Sequence, residues 1–232
     1  MKLQRVRDSF FVCNLTIVKT NISDIIKLMI TGIGGKNKFG GDKVKITIIN
    51  EKDAVLSKWS GGESRQYYIY PPDSSYAERN FMFRVSVASS DTEEEVPYSD
   101  LQNYTRYLMM LEGTAHVYHN GRYDIVLNPY DRIDIFDGGW ESSAAGRMTD
   151  FNLMVRKECS SEMSVIDKNC TYEAEHGIHM FFCGRGSAVF EFADEKISVC
   201  LGDLLILEGA GCSLSINVGQ DGDKLIMMYV YC

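Results

Sequence analysis

The sequence predicts an all-β protein made of two similar lobes. Short runs of apolar and β-branched residues, separated by Gly, Asn, Asp and Pro, fill the chain after residue 43, as in a sandwich, jelly roll or barrel. A weak internal repeat indicates the second lobe. The 232 residues are enough for two lobes of about 100 residues each.

The composition excludes several classes of partner. The chain is 45% hydrophobic and 24% charged, which is ordinary for a globular protein, and its net charge is -8. Nucleic-acid and anionic-membrane binding both require an excess of Lys and Arg. We therefore expect neither a nucleic-acid partner nor a membrane partner.

Cysteine usage indicates a reducing compartment. Seven Cys occur without a C-x-x-C pair, so we expect reduced, structural thiols and no disulfide framework. The apolar stretch at residues 10–18 is too short to span a bilayer and has no small-residue cleavage site. The expected location is the cytoplasm.

The first 43 residues form an extension of different character. Residues 22–30 place apolar side chains at the i, i+3 and i+4 spacing of a helical face, with Ser23 as candidate N-cap and Gly32 at the stop. This short helix would either cover an open barrel end or dock a partner.

The predicted strands after this extension are short and regularly spaced. They are clearest at residues 44–49, 66–70, 81–88, 107–111, 115–119 and 150–155.

Residues 107–138 and 179–211 repeat one another weakly. When Gly113 is aligned with Gly186, both stretches read as apolar strand, Gly turn, hairpin, polar turn and apolar strand. Each is half of a jelly roll. The Leu-Gly-Asp turn at 201–203 is of a type that cupin barrels use.

Many cupins bind a metal through a His-x-His pair, whose side chains share one face of a strand. His116 and His119 are three residues apart, as are His176 and His179. Side chains at this spacing point to opposite faces of a regular strand. We therefore predict no metal and no cofactor.

Two strands carry polar and small residues on one face and apolar residues on the other. Arg84 and Ser86 share a face of one strand, and Asp150, Asn152 and Met154 share a face of another. A barrel interior that holds a polar ligand has this mixture, and Arg offers a planar fork to a carboxylate. Two interpretations stay open: a structural Arg84–Asp150 ion pair, or a ligand carboxylate bound by Arg84.

A second candidate segment is WSGGES at residues 59–64. Gly61 and Gly62 would allow close approach of backbone to ligand, with Trp59 as an apolar wall and Ser64 as a hydroxyl. A plain turn is the alternative. Arg106 completes the predicted ligand-binding set, which contains no catalytic residue.

These segments resemble the HutD/Ves family of bicupin proteins. The similar pieces, in the family's order, are WSGGES at 59–64, YIYPP at 68–72, FRVSVA at 83–88, YLMMLEG at 107–113, FDGG at 136–139 and GRMTDFNLMVRK at 146–157. The resemblance implies a double cupin with two RmlC-like jelly-roll barrels and without the usual metal ligands. It also implies a modulator of bacterial histidine utilisation that senses a small acid from that pathway.

We therefore predict an extension at 1–43, a first barrel with the ligand pocket at 44–157, and a second, degenerate barrel at 158–232. The expected function is non-enzymatic binding of a small organic acid, such as a histidine-degradation intermediate. Two alternatives remain: a metal-free isomerase or epimerase with His116 or Asp150 as base, and a docking protein. The sequence also allows a homodimer.

Overall fold

The computed structural model describes residues 15–19, 44–192, 195–209 and 211–232. The predicted helix at 22–30 lies outside these residues. Apart from a 3-10 turn at Glu51–Asp53, the regular elements described are β-strands. None of the described residues belongs to a helix long and apolar enough to cross a membrane.

Twelve strands precede residue 157: β1 (Leu15–Lys19), β2 (Val44–Ile49), β3 (Val55–Trp59), β4 (Gly62–Tyr70), β5 (Phe83–Ser90), β6 (Val96–Pro97), β7 (Tyr104–Gly113), β8 (Ala115–His119), β9 (Tyr123–Leu127), β10 (Asp134–Asp137), β11 (Ser142–Ala145) and β12 (Met148–Arg156). Eight follow: β13 (Ser160–Ile166), β14 (Cys170–Ala174), β15 (Gly177–Arg185), β16 (Ser187–Phe192), β17 (Glu195–Cys200), β18 (Leu204–Gly209), β19 (Cys212–Val218) and β20 (Lys224–Tyr231).

The strands form two lobes with the same plan. In the first lobe, a six-stranded sheet of order β10-β7-β12-β5-β4-β3 packs on a four-stranded sheet of order β6-β11-β8-β9. In the second lobe the order β18-β15-β20-β13 repeats β10-β7-β12-β5, and β14-β19-β16-β17 repeats the small sheet. The predicted all-β, duplicated jelly-roll fold is therefore confirmed.

Strand β2 belongs to a different lobe from the one expected. The boundary at residue 44 assigned it to the first barrel, whereas it pairs antiparallel with β18 of the second lobe and parallel with β1. Val44 and Ile46 are buried in the second-lobe core. By pairing with β18, β2 covers an edge that would otherwise expose unpaired backbone groups.

The two large sheets pack against each other and create the core between the lobes. Phe83 and Val85 of β5 belong to one buried cluster with Phe182 and Met228 of the second lobe, and the ring of Phe151 of β12 contacts that of Phe182. The faces of these strands that pack against the other lobe are thus apolar, and their opposite faces point into the interior of their own lobe. This is why β7, β12, β15 and β20 are buried on both faces, while strands of the small sheets alternate between buried and exposed.

Cys159 and Cys232 form a disulfide, which corrects the expectation of reduced thiols throughout. Cys159 precedes β13 and Cys232 follows β20, and these strands pair with Ser160 opposite Tyr231. The antiparallel register therefore brings the two Cys together across the ladder. Because the two Cys are 73 residues apart in the chain, the sequence alone does not predict that they pair.

Candidate functional site

A cavity of about 470 Å³ lies between the two sheets of the first lobe, within the range of small-molecule sites. Eight of the ten predicted site residues line it: Trp59, Ser64, Arg84, Ser86, Arg106, Asp150, Asn152 and Met154. Gly61 and Gly62 do not line it.

The strand register places the polar residues in rows across the inner face of the large sheet. Met154 of β12 lies between Arg84 of β5 and Arg106 of β7. One row further, Asn152 lies opposite Ser86. Because side chains alternate along a strand, the same alternation that buries Phe83 and Val85 between the lobes turns Arg84 and Ser86 into the cavity.

Arg84 is 5% exposed. Its Nε donates to Gln66 Oε1 at 2.8 Å, and its Nη1 donates to Ser86 Oγ at 2.8 Å. The guanidinium carbon lies 4.4 Å from the centroid of the Tyr76 ring, a cation–π distance. Burial lowers the pKa of Arg84 to about 10, opposed by Tyr76 and reinforced by neighbouring guanidinium groups.

Arg106 is a second buried cation in the same cavity. Its guanidinium carbon lies 4.4 Å from the centroid of the Tyr98 ring and 5.2 Å from that of Phe136. Burial lowers its pKa from the ordinary value, and Tyr98 opposes that effect. Among the described residues, neither Arg84 nor Arg106 has a carboxylate oxygen within 4.0 Å, so the Arg84–Asp150 ion pair, one of the two interpretations left open by the sequence, does not form.

Asp150 is buried, and burial raises its pKa to about 6 against the opposing effects of Arg106, Asn152 and Arg84. A carboxyl group with a pKa near 6 changes charge close to neutral pH.

Four polar atoms of the cavity residues are buried without a hydrogen-bond partner in the described part of the chain: Tyr98 Oη, Arg106 Nε, Asp150 Oδ1 and Asn152 Oδ1. Buried polar groups are normally paired, and leaving one unpaired costs about 1–3 kcal/mol. Their concentration in one cavity makes this cavity the candidate functional site.

Gly61 and Gly62 have packing roles. A Cβ at Gly61 would collide with the Trp59 indole, and a Cβ at Gly62 would collide with the Ser89 carbonyl oxygen. The glycines therefore let the β3–β4 turn fold tightly against β5 and let Trp59, 39% exposed, lie at the cavity wall.

Sequence reasoning missed several residues of this site, four of which carry ring, amide or ammonium groups. Tyr76 and Tyr98 come from loops and cover the two guanidinium groups, Gln66 bonds Arg84, and Lys58 lines the cavity. Only Gln66 carried a usable signal, because it lies on the strand next to Arg84 in the predicted barrel.

The histidines lie outside this cavity. His116 is exposed and bonds Tyr118. His119 is buried, with Nε2 2.9 Å from Asp134 Oδ2 and Nδ1 2.7 Å from Ser142 Oγ, and it ties β8 to β10 and β11. The described residues include no group of three or more His, Cys, Asp and Glu that could hold a metal.

Comparison with solved structures shows the same fold. A conserved protein of unknown function from Pseudomonas aeruginosa PAO1 has 16% identity and a TM-score of 0.70, with 81% of this chain and 99% of that chain covered. HutD from Pseudomonas fluorescens, solved in a formate condition, has 18% identity and a TM-score of 0.65, with coverages of 80% and 97%. The oxalate decarboxylase of Lactobacillus farciminis, in a formate complex, has 9% identity and a TM-score of 0.56, with coverages of 79% and 85%.

Comparison with curated proteins gave no match. The HutD family model matches residues 51–226. The match thus extends beyond the first lobe, where the resembling motifs lie, through most of the second. With the duplicated jelly-roll fold, this match means that the chain belongs to the HutD family.

Proposed function

We propose that the first lobe binds a small carboxylate and that the protein is a non-enzymatic binding regulator. The observation that carries this proposal is the pair of buried guanidinium groups, Arg84 and Arg106, which share a cavity without a carboxylate partner within 4.0 Å. A buried, unpaired charge costs several kcal/mol. An anion that enters the cavity would offset that cost.

The donors of the site suit a carboxylate. Arg84 uses two of its N–H groups on Gln66 and Ser86, and a guanidinium has five. Arg106 Nε and Tyr98 Oη are unpaired in the described chain and face the same cavity. Each hydrogen bond to a charged group contributes roughly 1.5–3 kcal/mol, so two or three support micromolar binding after ordering costs.

Formate appears with two of the related structures, as the condition of a HutD crystal and as a complex of an oxalate decarboxylase. These observations concern those proteins. They make formate a sensible first probe of this cavity.

The proposal is tested by calorimetry with formate, urocanate and formiminoglutamate. We expect heat from at least one acid, and loss of that heat in Arg84→Met and Arg106→Met. Arg65→Met is the matched control, because Arg65 lies on neighbouring β4, pairs with Glu63 and does not line the cavity. No heat from any of the three acids, at concentrations that detect millimolar binding, would contradict the proposal.

A metal-free isomerase or epimerase is the second candidate, and Asp150 favours it. A buried carboxyl with a pKa of about 6 beside two cations can serve as a general base. His116, the other predicted base, lies outside the cavity. Exchange of an acid's α-proton with solvent deuterium, lost in Asp150→Asn, would support this enzyme. If no exchange occurs at a saturating concentration of the acid, the enzyme hypothesis fails and the binding function remains.

The link to histidine utilisation, the cytoplasmic location, the homodimer and partner docking by residues 1–43 remain predictions of the sequence. Binding of urocanate or formiminoglutamate in preference to other acids of similar size would support the histidine link.

A further inference from the structure

We propose that a carboxylate enters the first-lobe cavity together with a proton, which Asp150 takes up. The inference rests on the carboxylate binding proposed above and adds a residue that makes this binding depend on pH.

The first support is the position of Asp150. It is 6% exposed, lines the same cavity as Arg84 and Arg106, and has no ion pair within 4.0 Å to either of them. Its Oδ1 is buried and unpaired in the described chain. The two guanidinium groups therefore stabilise its charge only through space.

The second support is the charge that a ligand adds. A carboxylate on Arg84 or Arg106 neutralises one of the two cations that favour ionised Asp150 and places a second negative charge in the cavity. Loss of that attraction and repulsion from the new charge both raise the pKa of Asp150 above the value that burial already gives it, so Asp150 takes up a proton. The proton adds to a carboxylate oxygen of Asp150, and no other bond changes.

The third support is the hydrogen bonding of the protonated form. An ionised Asp150 only accepts hydrogen bonds, whereas the neutral acid also donates one O–H. Asn152 Oδ1, on the same face of β12, is a buried acceptor without a partner in the described chain, and a ligand carboxylate is another. Protonated Asp150 therefore no longer repels a ligand carboxylate and can instead donate a hydrogen bond to it or to Asn152 Oδ1.

The other titratable groups at the cavity come from every surrounding element: Lys58 of β3, Arg84 of β5, Arg106 of β7, Tyr76 of the β4–β5 loop and Tyr98 of the β6–β7 loop. The two guanidinium groups stay charged below pH 8, and burial raises the pKa of Tyr98 further above that range. Tyr76 is the competing site. Burial raises its pKa, but a hydrogen bond with Ser99 and the surrounding guanidinium groups lower it overall.

The test is calorimetry of formate binding to the full chain at pH 7, in Bis-Tris and in Tris. These buffers differ in ionisation heat, so the difference in observed heat counts the protons exchanged. We expect uptake close to one proton, because Asp150 with a pKa of about 6 is mostly ionised before binding. Affinity is highest below the free pKa and falls as pH rises towards the bound pKa, by about five- to tenfold for each pH unit between 6 and 8.

Asp150→Asn should bind formate without proton uptake and with a flat pH profile. Tyr76→Phe should keep the uptake. Formate binding without proton exchange would overturn this inference and leave the proposed function intact. Loss of the uptake in Tyr76→Phe, with Asp150 present, would also overturn it. If formate gives no heat, the inference fails, and the proposed function then depends on urocanate and formiminoglutamate.

Discussion

Replacing Arg84 by Met separates a structural role from a binding role. Arg84 donates one hydrogen bond to Gln66 and one to Ser86, and each is worth roughly 1.5–3 kcal/mol because the donor is charged. The variant loses both bonds and the contact with Tyr76. From contacts alone, the expected loss of stability would be about 3–6 kcal/mol.

Burial of the charge acts in the opposite direction. Arg84 has a pKa of about 10 in place of its ordinary 12.5. At about 1.4 kcal/mol for each pKa unit, the folded protein holds this charge at a cost of about 3 kcal/mol. The variant is relieved of that cost, and the Met side chain adds about 1 kcal/mol of apolar burial. Without ligand, the net change in stability should therefore lie between a gain of about 1 kcal/mol and a loss of about 2 kcal/mol.

Ligand binding should respond much more strongly. Loss of a bidentate guanidinium–carboxylate contact removes about 3–6 kcal/mol, or a factor of about 10² to 10⁴ in affinity. The assay is urea unfolding of the apo protein, together with thermal melting with and without the binding acid. Wild type should show a ligand-induced rise in melting temperature that Arg84→Met lacks. An apo variant destabilised by more than about 3 kcal/mol, or one that keeps the rise, would refute the reasoning.

Three further predictions concern the frame around the site. His119→Ala leaves buried Asp134 without its hydrogen bond from the imidazole and should lower the free energy of unfolding in urea by about 2–4 kcal/mol. Tyr123→Phe loses one hydrogen bond to Asp134 and should cost only about 1 kcal/mol. Equal losses in the two variants would contradict this prediction. Cys159→Ser removes the disulfide with Cys232, which is 73 residues away, and should lower stability by about 2–4 kcal/mol under oxidising conditions only. Cys170→Ser, at an exposed free thiol, is the control. A similar loss for Cys159→Ser in dithiothreitol would show that the disulfide is not the cause. The added methyl of Gly62→Ala would collide with the Ser89 backbone carbonyl, whereas that of Gly61→Ala would collide with the exposed Trp59 ring. In thermal melts, Gly62→Ala should therefore lose about 1–3 kcal/mol more stability than Gly61→Ala. The reverse order would show that the Trp59 ring cannot move aside.

The inner faces of the strands could be predicted because they depend on local periodicity. Alternation placed Arg84 with Ser86 and Asp150 with Asn152, and the structure brings all four to one cavity. The aligned glycines likewise predicted the equivalence of β7 with β15, and the sheet orders agree with it. A period of two residues fixes which side chains share a face, whatever the neighbouring strands are.

The contacts that could not be predicted are those between residues distant in the chain. The pairing of β2 with β18, the Cys159–Cys232 disulfide and the stacking of Tyr76 and Tyr98 on the guanidinium groups all depend on tertiary placement. The Arg84–Asp150 pair illustrates the same limit. Alternation puts both on one face, but the register leaves them in different rows, Arg84 opposite Met154 and Asp150 opposite Ala88.

Comparison of the two lobes indicates why the first one holds the site. The registers make β12 equivalent to β20, so that Asn152 corresponds to Met227 and Asp150 to Leu225. In the second lobe both positions belong to a buried apolar cluster. The second lobe therefore fills with side chains the volume that the first lobe keeps as a cavity.

The polar position that the second lobe keeps differs in its hydrogen bonding. Arg106 corresponds to His179, which is also buried, but both of its ring nitrogens have partners: Nδ1 lies 2.8 Å from Tyr172 Oη and Nε2 lies 3.0 Å from Glu175 O. Arg106 Nε has none in the described chain. A satisfied buried group stabilises its lobe, whereas an unsatisfied one costs about 1–3 kcal/mol until a partner arrives. Apolar packing stabilises the duplicated fold in both lobes, and the first lobe leaves polar groups unpaired beside Arg84 and Arg106, where the proposed anion would bind.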